Sequence, residues 1–277
     1  IRVALFDPEL GTALNEAGRR LGRKARVHLK VDTGMGRIGL QPGEVGAVGR
    51  HLAALPHVEV EGVFTHLAAA DEPDNPYTGY QLMRFEQALG ELAAAGVRPP
   101  IRHAANSAAL MLHPEAHYDM VRTGIAMLGL PPDPNVPWPV PLQPALTWKT
   151  RVGLVKWVEA GQAISYGCTY VAQSRERIVT LPVGYADGYT RRLSNRAEVL
   201  IHGRRCPVVG RVTMDQMMVR VPDDLEVHVG DEVVLIGRQG SEEITATDLA
   251  RLSGTVNYEI VCAISPRVAR LYLPDGE

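Results

Sequence analysis

The stretch VHLKVDTGMGRIGL, Val27 to Leu40, decides how this chain reads, because an alternating strand in it runs straight into a glycine-rich turn. Side chains on a strand alternate between faces, so Val27, Leu29 and Val31 share one face and His28, Lys30 and Asp32 the other. Setting three ionisable groups side by side costs free energy unless they are paired or border a wet cavity. Gly34 and Gly36 let the backbone take conformations that a β-carbon forbids, which brings Arg37 beside Lys30 and Asp32. The plainer alternative is an amphipathic edge strand with a solvated polar face.

Outward from that stretch, apolar strands alternate with helix-like segments. Strands are expected near Arg2 to Phe6, Val27 to Asp32, Val58 to His66, Ile101 to Ala104 and Asp119 to Thr123. Helices are expected near Pro8 to Leu21, Pro42 to Ala54, Pro76 to Ala95 and Asn106 to Leu112, with proline at several starts and glycine after several ends. The rhythm predicts an α/β architecture of about five βα units with a parallel sheet or barrel. A TIM-type (β/α)8 barrel needs eight units, so about three would precede these. The chain also opens at Ile1, without methionine, inside the strand-like run IRVALF, and the expectation is a piece of a longer protein.

Half of the residues in PPDPNVPWPVPLQP, Pro131 to Pro144, are proline, which excludes a helix or central strand there. The domain boundary is placed in this run, giving a partial barrel over 1–138 and a mainly β domain over 139–277. After it come β-branched runs punctuated by glycine and aspartate, with one helix expected around Ala246 to Leu252.

Composition narrows the function classes. Across 277 residues the hydrophobic fraction is 45%, the charged fraction 22% and the net charge −2, so charge favours neither nucleic acid nor an anionic membrane as partner. Cys168, Cys206 and Cys262 are far apart and form no CxxC pair, which argues against a disulfide framework or structural zinc and for free thiols in a reducing compartment. No apolar run reaches the roughly 18–20 residues of a membrane span, and the expectation is a soluble, cytoplasmic protein without a metal.

In parallel βα architectures catalytic groups gather at the carboxyl ends of the strands. Here successive strand ends carry Lys30, Asp32 and Arg37; Thr65, His66 and then Asp71; His103, Asn106 and Ser107; and Arg122, Thr123 and Gly124. Any one of these is satisfied as a core or capping residue, and Ser107 reads as a helix N-cap. Their recurrence at one face points to a site. Ser107 opening one helix and Gly124-Ile125 opening another suggest a phosphorylated ligand held by backbone N–H groups. In the second domain Tyr166, Tyr185 and Tyr258 sit beside glycine or asparagine, where a tyrosine either packs at a turn or, near positive charge, serves as an acid or base.

The motifs KVDTGMGRIG, THLAAAD, HAANSAA, VRTGIAMLG, SYGCTY, GYADG, VTMDQ and NYE follow one another in the order and approximate spacing of the alanine racemases, which the chain resembles over essentially its whole length. The resemblance implies a pyridoxal phosphate enzyme of fold type III, a (β/α)8 barrel followed by a β domain, acting as a homodimer with shared sites. It implies two-base interconversion of L- and D-alanine, which supplies D-alanine for peptidoglycan. Carried over by position, Arg122 is similar to the arginine on the pyridine nitrogen, with His103 bracing it and His66 beside the ring. Ser107, Gly124, Ile125 and Tyr258 resemble the phosphate-binding set. Arg37 resembles the group near the substrate carboxylate and the cofactor's phenolic oxygen, and Lys30 the lysine carbamylated in many members. Tyr166 resembles one of the two acid-base groups, given across the dimer interface. Met214 and Asp215 resemble the substrate end of the site, and Tyr185, Asp71 and Arg191 its entrance.

One family feature has no match. The family's other base is a lysine on the first barrel strand that holds the cofactor covalently, and the only lysines here are Lys24, Lys30, Lys149 and Lys156. None lies in a comparable motif, so the chain alone is expected to be inactive and poorly stable. Alternatives are a racemase of broader or different specificity, a fold III decarboxylase, and a non-catalytic relative that binds pyridoxal phosphate.

Overall fold

The computed structural model describes residues 1–273, so the last four residues of the expected 139–277 domain lie outside the described residues. The chain divides into two compact units, Ile1–Gln143 and Pro144–Glu277, the division falling inside the proline-rich run.

The first unit is built from β1 (Val3–Leu5), α1 (Pro8–Leu21), β2 (Ala25–Lys30), α2 (Val45–Ala53), β3 (Val58–Phe64), α3 (Tyr77–Ala94), β4 (Ile101–His103) and α4 (Ser107–Leu112). The strands pair in parallel in the order β1-β2-β3-β4. The helix boundaries follow local chemistry. Asp7 caps α1 by accepting from the Glu9 amide, Pro8 opens it, and Gly22 closes it in the left-handed conformation. Val27, Leu29 and Val31 are wholly buried and form the core under the helices with Leu52, Phe85 and Leu92.

β2 lies between β1 and β3, and on its other face Lys30 is only 2% exposed and His28 8%. The solvated edge-strand reading is therefore excluded. Beyond β2 the glycine-rich loop closes on itself: the Asp32 amide donates to the Leu40 carbonyl and the Leu40 amide to the Lys30 carbonyl, bridging Leu40 to Val31.

The expected strand at Asp119 to Thr123 does not form, leaving four βα units rather than five. The Arg102 amide that a fifth strand's backbone would have used is taken by the Asp119 carboxylate at 2.8 Å, and Tyr118 turns the chain at positive φ. The segment still runs beside β4 through the Arg122 amide, which donates to the Ala105 carbonyl. That bond places Arg122 at the sheet's carboxyl edge.

The second unit contains β5 (Trp148–Arg151), β6 (Leu154–Val158), β7 (Ala163–Ile164), β8 (Tyr170–Val171), β9 (Glu176–Leu181), β10 (Glu198–Ile201), β11 (Arg204–Val209), β12 (Met217–Val221), β13 (Glu232–Gln239) and β14 (Glu242–Ile244), then α5 (Ala246–Ser253) and α6 (Asn257–Ala263). One antiparallel sheet runs β14-β13-β10-β11-β12-β9-β6, with β5 also on β13, and β7 pairs with β8. Helix α5 begins with a Thr245–Asp248 capping box and ends at left-handed Gly254. Helix α6, which carries the NYE motif, is a second helix where one was expected. Among the described residues no helix is long and apolar enough to cross a membrane.

Gly39 has φ of +128°, and a β-carbon on it would stand 2.6 Å from the Asp32 nitrogen. Gly39→Ala is expected to cost about 3 kcal/mol or more in urea unfolding, whereas Gly43→Ala, with open space around it, changes stability by under about 0.5 kcal/mol.

Candidate active site

The polar face of the parallel sheet is organised around Arg122. Its Nη1 donates to His103 Nδ1 at 2.9 Å, and its Nη2 to the carbonyls of Thr65 and Ala104 at 2.9 and 3.1 Å, with His66 Nδ1 at 3.3 Å. Among the described residues Nε has no partner, so its N–H is open to an acceptor from outside. Phe64 stacks on His103 with rings 2° from parallel and centroids 4.8 Å apart, and the Arg122 and Lys30 cations lie 5.3 and 5.6 Å from the Phe64 centroid. A cavity of about 490 Å³ borders this face, lined by Arg2, His28, Glu61, Phe64, His103 and Arg122 among others.

Burial and the Arg122 charge lower both neighbouring imidazoles, His66 to about 4 and His103 to about 3, with His28 adding to the shift at His103. Both are neutral near physiological pH. Arg122 itself is lowered to about 10 by burial and stays cationic. Arg122 is thus a cation held in one orientation beside two neutral imidazoles. Behind it, Gln81 of α3 ties down the segment after β3, donating to the His66 carbonyl at 3.0 Å and to Thr33, and accepting from the Ala68 amide at 2.8 Å.

Ser107 and Gly124 meet, but not as two α-helix starts. Asn106, rather than Ser107, caps α4, and Ile125–Leu128 is a 3-10 turn. The Ser107 hydroxyl accepts from the Gly124 and Ala126 amides at 2.8 and 3.3 Å, so its own proton is left for an acceptor such as a phosphate oxygen. Arg37 is exposed and reaches Lys30 and His66 through its charge alone, and Asp71 is half-buried in the turn after Ala70. Asp32 accepts from the Gly34 and Gly36 amides. Burial raises its carboxyl, yet those amides and Lys30 outweigh that and hold it below the ordinary range.

In the second unit, the tyrosine-bearing loops are tied to one another. Ser165 adopts φ 67° and ψ −179°, a region costing a non-glycine residue about 1–3 kcal/mol, and its hydroxyl donates to the Arg211 carbonyl at 2.6 Å. Tyr166 follows, 72% exposed. The Tyr185 and Ala186 amides donate to the Thr213 and Met214 carbonyls, an approach that only a glycine at 184 permits, since a β-carbon there would stand 2.2 Å from the Thr213 oxygen. Arg267 bridges Asp187 and Asp215 at 3.3 and 2.7 Å. The 3-10 turn Arg191–Leu193 joins the same assembly through Ser194, which donates to the Arg191 carbonyl and accepts from the Val212 amide. Tyr258 is half-exposed on the first turn of α6, whose last residue, Ala263, lies against Gly188. Residue types and spacing did not single out Glu61, Phe64, Gln81 or Arg267.

Lys30 is lowered to about 8, chiefly by burial, with Asp32 opposing and Arg122 and Arg37 reinforcing. In the unfolded chain an ordinary lysine holds its proton up to about 10.5, so the folded protein carries the full penalty below about 8 and regains stability as pH rises between these values. In carbon-dioxide-free buffer, Lys30→Met is expected to raise unfolding free energy by up to about 3 kcal/mol at neutral pH. That advantage should shrink across the same window, and a difference that does not change with pH would contradict it.

The sequence matches the family model "Alanine racemase, N-terminal domain" over residues 1–132 and "Alanine racemase, C-terminal domain" over residues 145–272. It is 79% identical over 272 residues to the alanine racemase of Symbiobacterium thermophilum, covering 98% of this chain and 72% of that protein. The structure of alanine racemase from Clostridium difficile 630 superposes with a TM-score of 0.93 at 42% identity, covering all of this chain and 72% of that one. A histidine racemase from Leuconostoc mesenteroides superposes with a TM-score of 0.91 at 32% identity, over 99% of this chain and 73% of that one. The chain belongs to the alanine racemase family, a family of isomerases.

Proposed function

We propose that this chain serves the interconversion of L- and D-alanine, with pyridoxal phosphate bound at the carboxyl edge of its parallel sheet, as part of a homodimer in the cytoplasm. The observation that carries the reading is Arg122: a cation fixed by two carbonyls and a neutral histidine, with Nε–H left to donate. The residues fit the cofactor. An always-protonated donor suits the lone pair of a pyridine nitrogen and keeps that nitrogen unprotonated. The spare proton of Ser107, with the amide of Ile125, suits the phosphate.

When bound, pyridoxal phosphate makes the α-hydrogen of an attached amino acid acidic by drawing electrons into its ring. The protein's part is to place proton carriers and exclude competing reactions. Arg122 would hold the ring nitrogen as a donor, His66 would stand beside the ring as a neutral imidazole, and Arg37 would lie near the substrate carboxylate and the cofactor's phenolic oxygen. Lys30, buried and easily deprotonated, is suited to react with carbon dioxide, and the resulting anion would pair with Arg37. Tyr166 moves the proton on one face. It is exposed on its own unit, as a group given to a partner's site must be. Met214 and Asp215 line the substrate end, and Tyr185, Asp71 and Arg191 the entrance.

The partner base is where this chain departs from its family. Lys24 precedes β2, and Lys149 and Lys156 lie on β5 and β6, so Lys30 is the lysine at the sheet's carboxyl edge. Residues 1–277 alone are therefore expected to bind pyridoxal phosphate without racemising alanine. A second reading, an amino acid other than alanine as substrate, draws support from the likeness to a histidine racemase.

Titration with pyridoxal phosphate, followed by absorbance, is expected to show saturable binding that Arg122→Leu weakens at least about tenfold, the worth of one charge-assisted hydrogen bond. Absence of binding, or binding indifferent to Arg122, would overturn the cofactor site. D-alanine formed by residues 1–277 alone would overturn the lysine expectation and leave the site standing, and rates across several L-amino acids would separate the two substrates.

A further inference from the structure

The stretch VEVEGVF, Val58–Phe64, spells an alternating strand, yet β3 does not keep its alternation. Against β2, Val60 pairs with Val27 but Gly62 with His28, so Glu61 is an extra residue with no partner in the ladder. Bulges of this kind are rare between parallel strands and re-aim a side chain. Here the bulge turns the buried Glu61 carboxylate to within 3.2 Å of His28 Nε2. The next residue has to be glycine, because a β-carbon at position 62 would stand 2.6 Å from His28 Nδ1. His28 Nδ1 in turn lies 2.7 Å from His103 Nε2, and the far side of the His103 ring receives Arg122.

The direction of this line is set from both ends, a donor-only guanidinium and an acceptor-only carboxylate. A guanidinium has five N–H donors and no acceptor, so His103 Nδ1 must accept. The His103 proton is then on Nε2 and is donated to His28 Nδ1. That leaves the His28 proton on Nε2, where Glu61, an acceptor when ionised, receives it. Glu61 is kept ionised: hydrogen bonding from Arg2 lowers its carboxyl to about 2, with Arg2 Nε and Nη2 at 2.8 and 3.1 Å and Arg26 at 3.5 Å. Without the carboxylate, the two imidazoles could reverse their protons together, and His103 would then point a donor at the donor on Arg122.

We propose that Glu61 and His28 are positioning residues, which fix His103 in its Nε2–H tautomer and so fix the direction in which Arg122 offers its Nε–H. The inference rests on the reading of Arg122 as the group that meets the cofactor's ring nitrogen. Neither positioning residue touches reacting atoms. A buried polar line is worth keeping only if every member is satisfied, and the bulge and Gly62 exist in this fold to satisfy it.

The test is nitrogen NMR of isotope-labelled histidine rings in the full chain, assigned with His28→Gln and His103→Gln, together with the absorption band of added pyridoxal phosphate. Both rings are expected to be neutral with the proton on Nε2. Glu61→Gln, whose amide oxygen still accepts, should preserve that pattern and the band. Glu61→Leu should give His103 a detectable share of the Nδ1–H tautomer and displace the band. A wild-type His103 or His28 protonated on Nδ1, or a pure Nε2–H His103 surviving in Glu61→Leu, would overturn the proposal, and where Glu61→Leu does not fold the wild-type His28 tautomer reads the Glu61 contact directly. The expected tautomers without any pyridoxal phosphate binding would overturn the cofactor reading while upholding the tautomer assignment.

Discussion

Arginine can give hydrogen bonds but cannot receive them, and in this protein that one-sidedness organises everything around Arg122. Its Nη1 and Nη2 donate to two carbonyls and the ring nitrogens of neutral histidines, each of which must present a lone pair. Neutrality of His66 and His103 follows from burial and from the arginine's own charge. The cation in turn lies near the face of Phe64, which stacks flat on His103, so an aromatic ring and an imidazole form one layer beside it. The result is a directed guanidinium flanked by imidazoles that carry no extra proton.

The two units hold their polar groups in different physical ways. In the parallel unit, these groups stand at strand ends and on segments pinned by side chains such as Gln81, so their positions are set by the sheet. In the β unit, they stand on loops that rely on one another: strained Ser165 on the Arg211 carbonyl, Gly184 against the Thr213 oxygen, Arg267 across two aspartates. A strained residue held by a neighbour's backbone is a means of keeping an exposed tyrosine in one orientation without burying it.

Much of this was legible from residue order. The alternation in VHLKVD places three valines and leucines in the core and the polar groups opposite, and proline and glycine mark where the first helices start and stop, as at Pro8 and Gly22. The meeting of Ser107 with Gly124 was also visible, though not the 3-10 form of the second turn. Three features were hidden for identifiable reasons. The fifth strand fails because the Asp119 side chain takes the amide that its backbone would have used, a competition that composition does not reveal. Glu61 reads as an outward residue of a regular strand because a bulge is a property of the pair of strands, set here by the bulk of the His28 ring. Helix α6 is short and lacks a side-chain cap, so nothing local announces it. The parts proposed for Tyr166, Met214 and Asp215 came from family resemblance, since an exposed tyrosine beside glycine has no distinctive pattern of its own.

The most direct test of the account is the nitrogen NMR shift of the pyridine nitrogen in isotope-labelled pyridoxal phosphate bound to the protein. An unprotonated nitrogen accepting a hydrogen bond, with a shift that changes in Arg122→Leu, is the result the account predicts. A protonated pyridinium in the unaltered protein would contradict it, because a guanidinium that can only donate cannot face a ring nitrogen that already carries a proton.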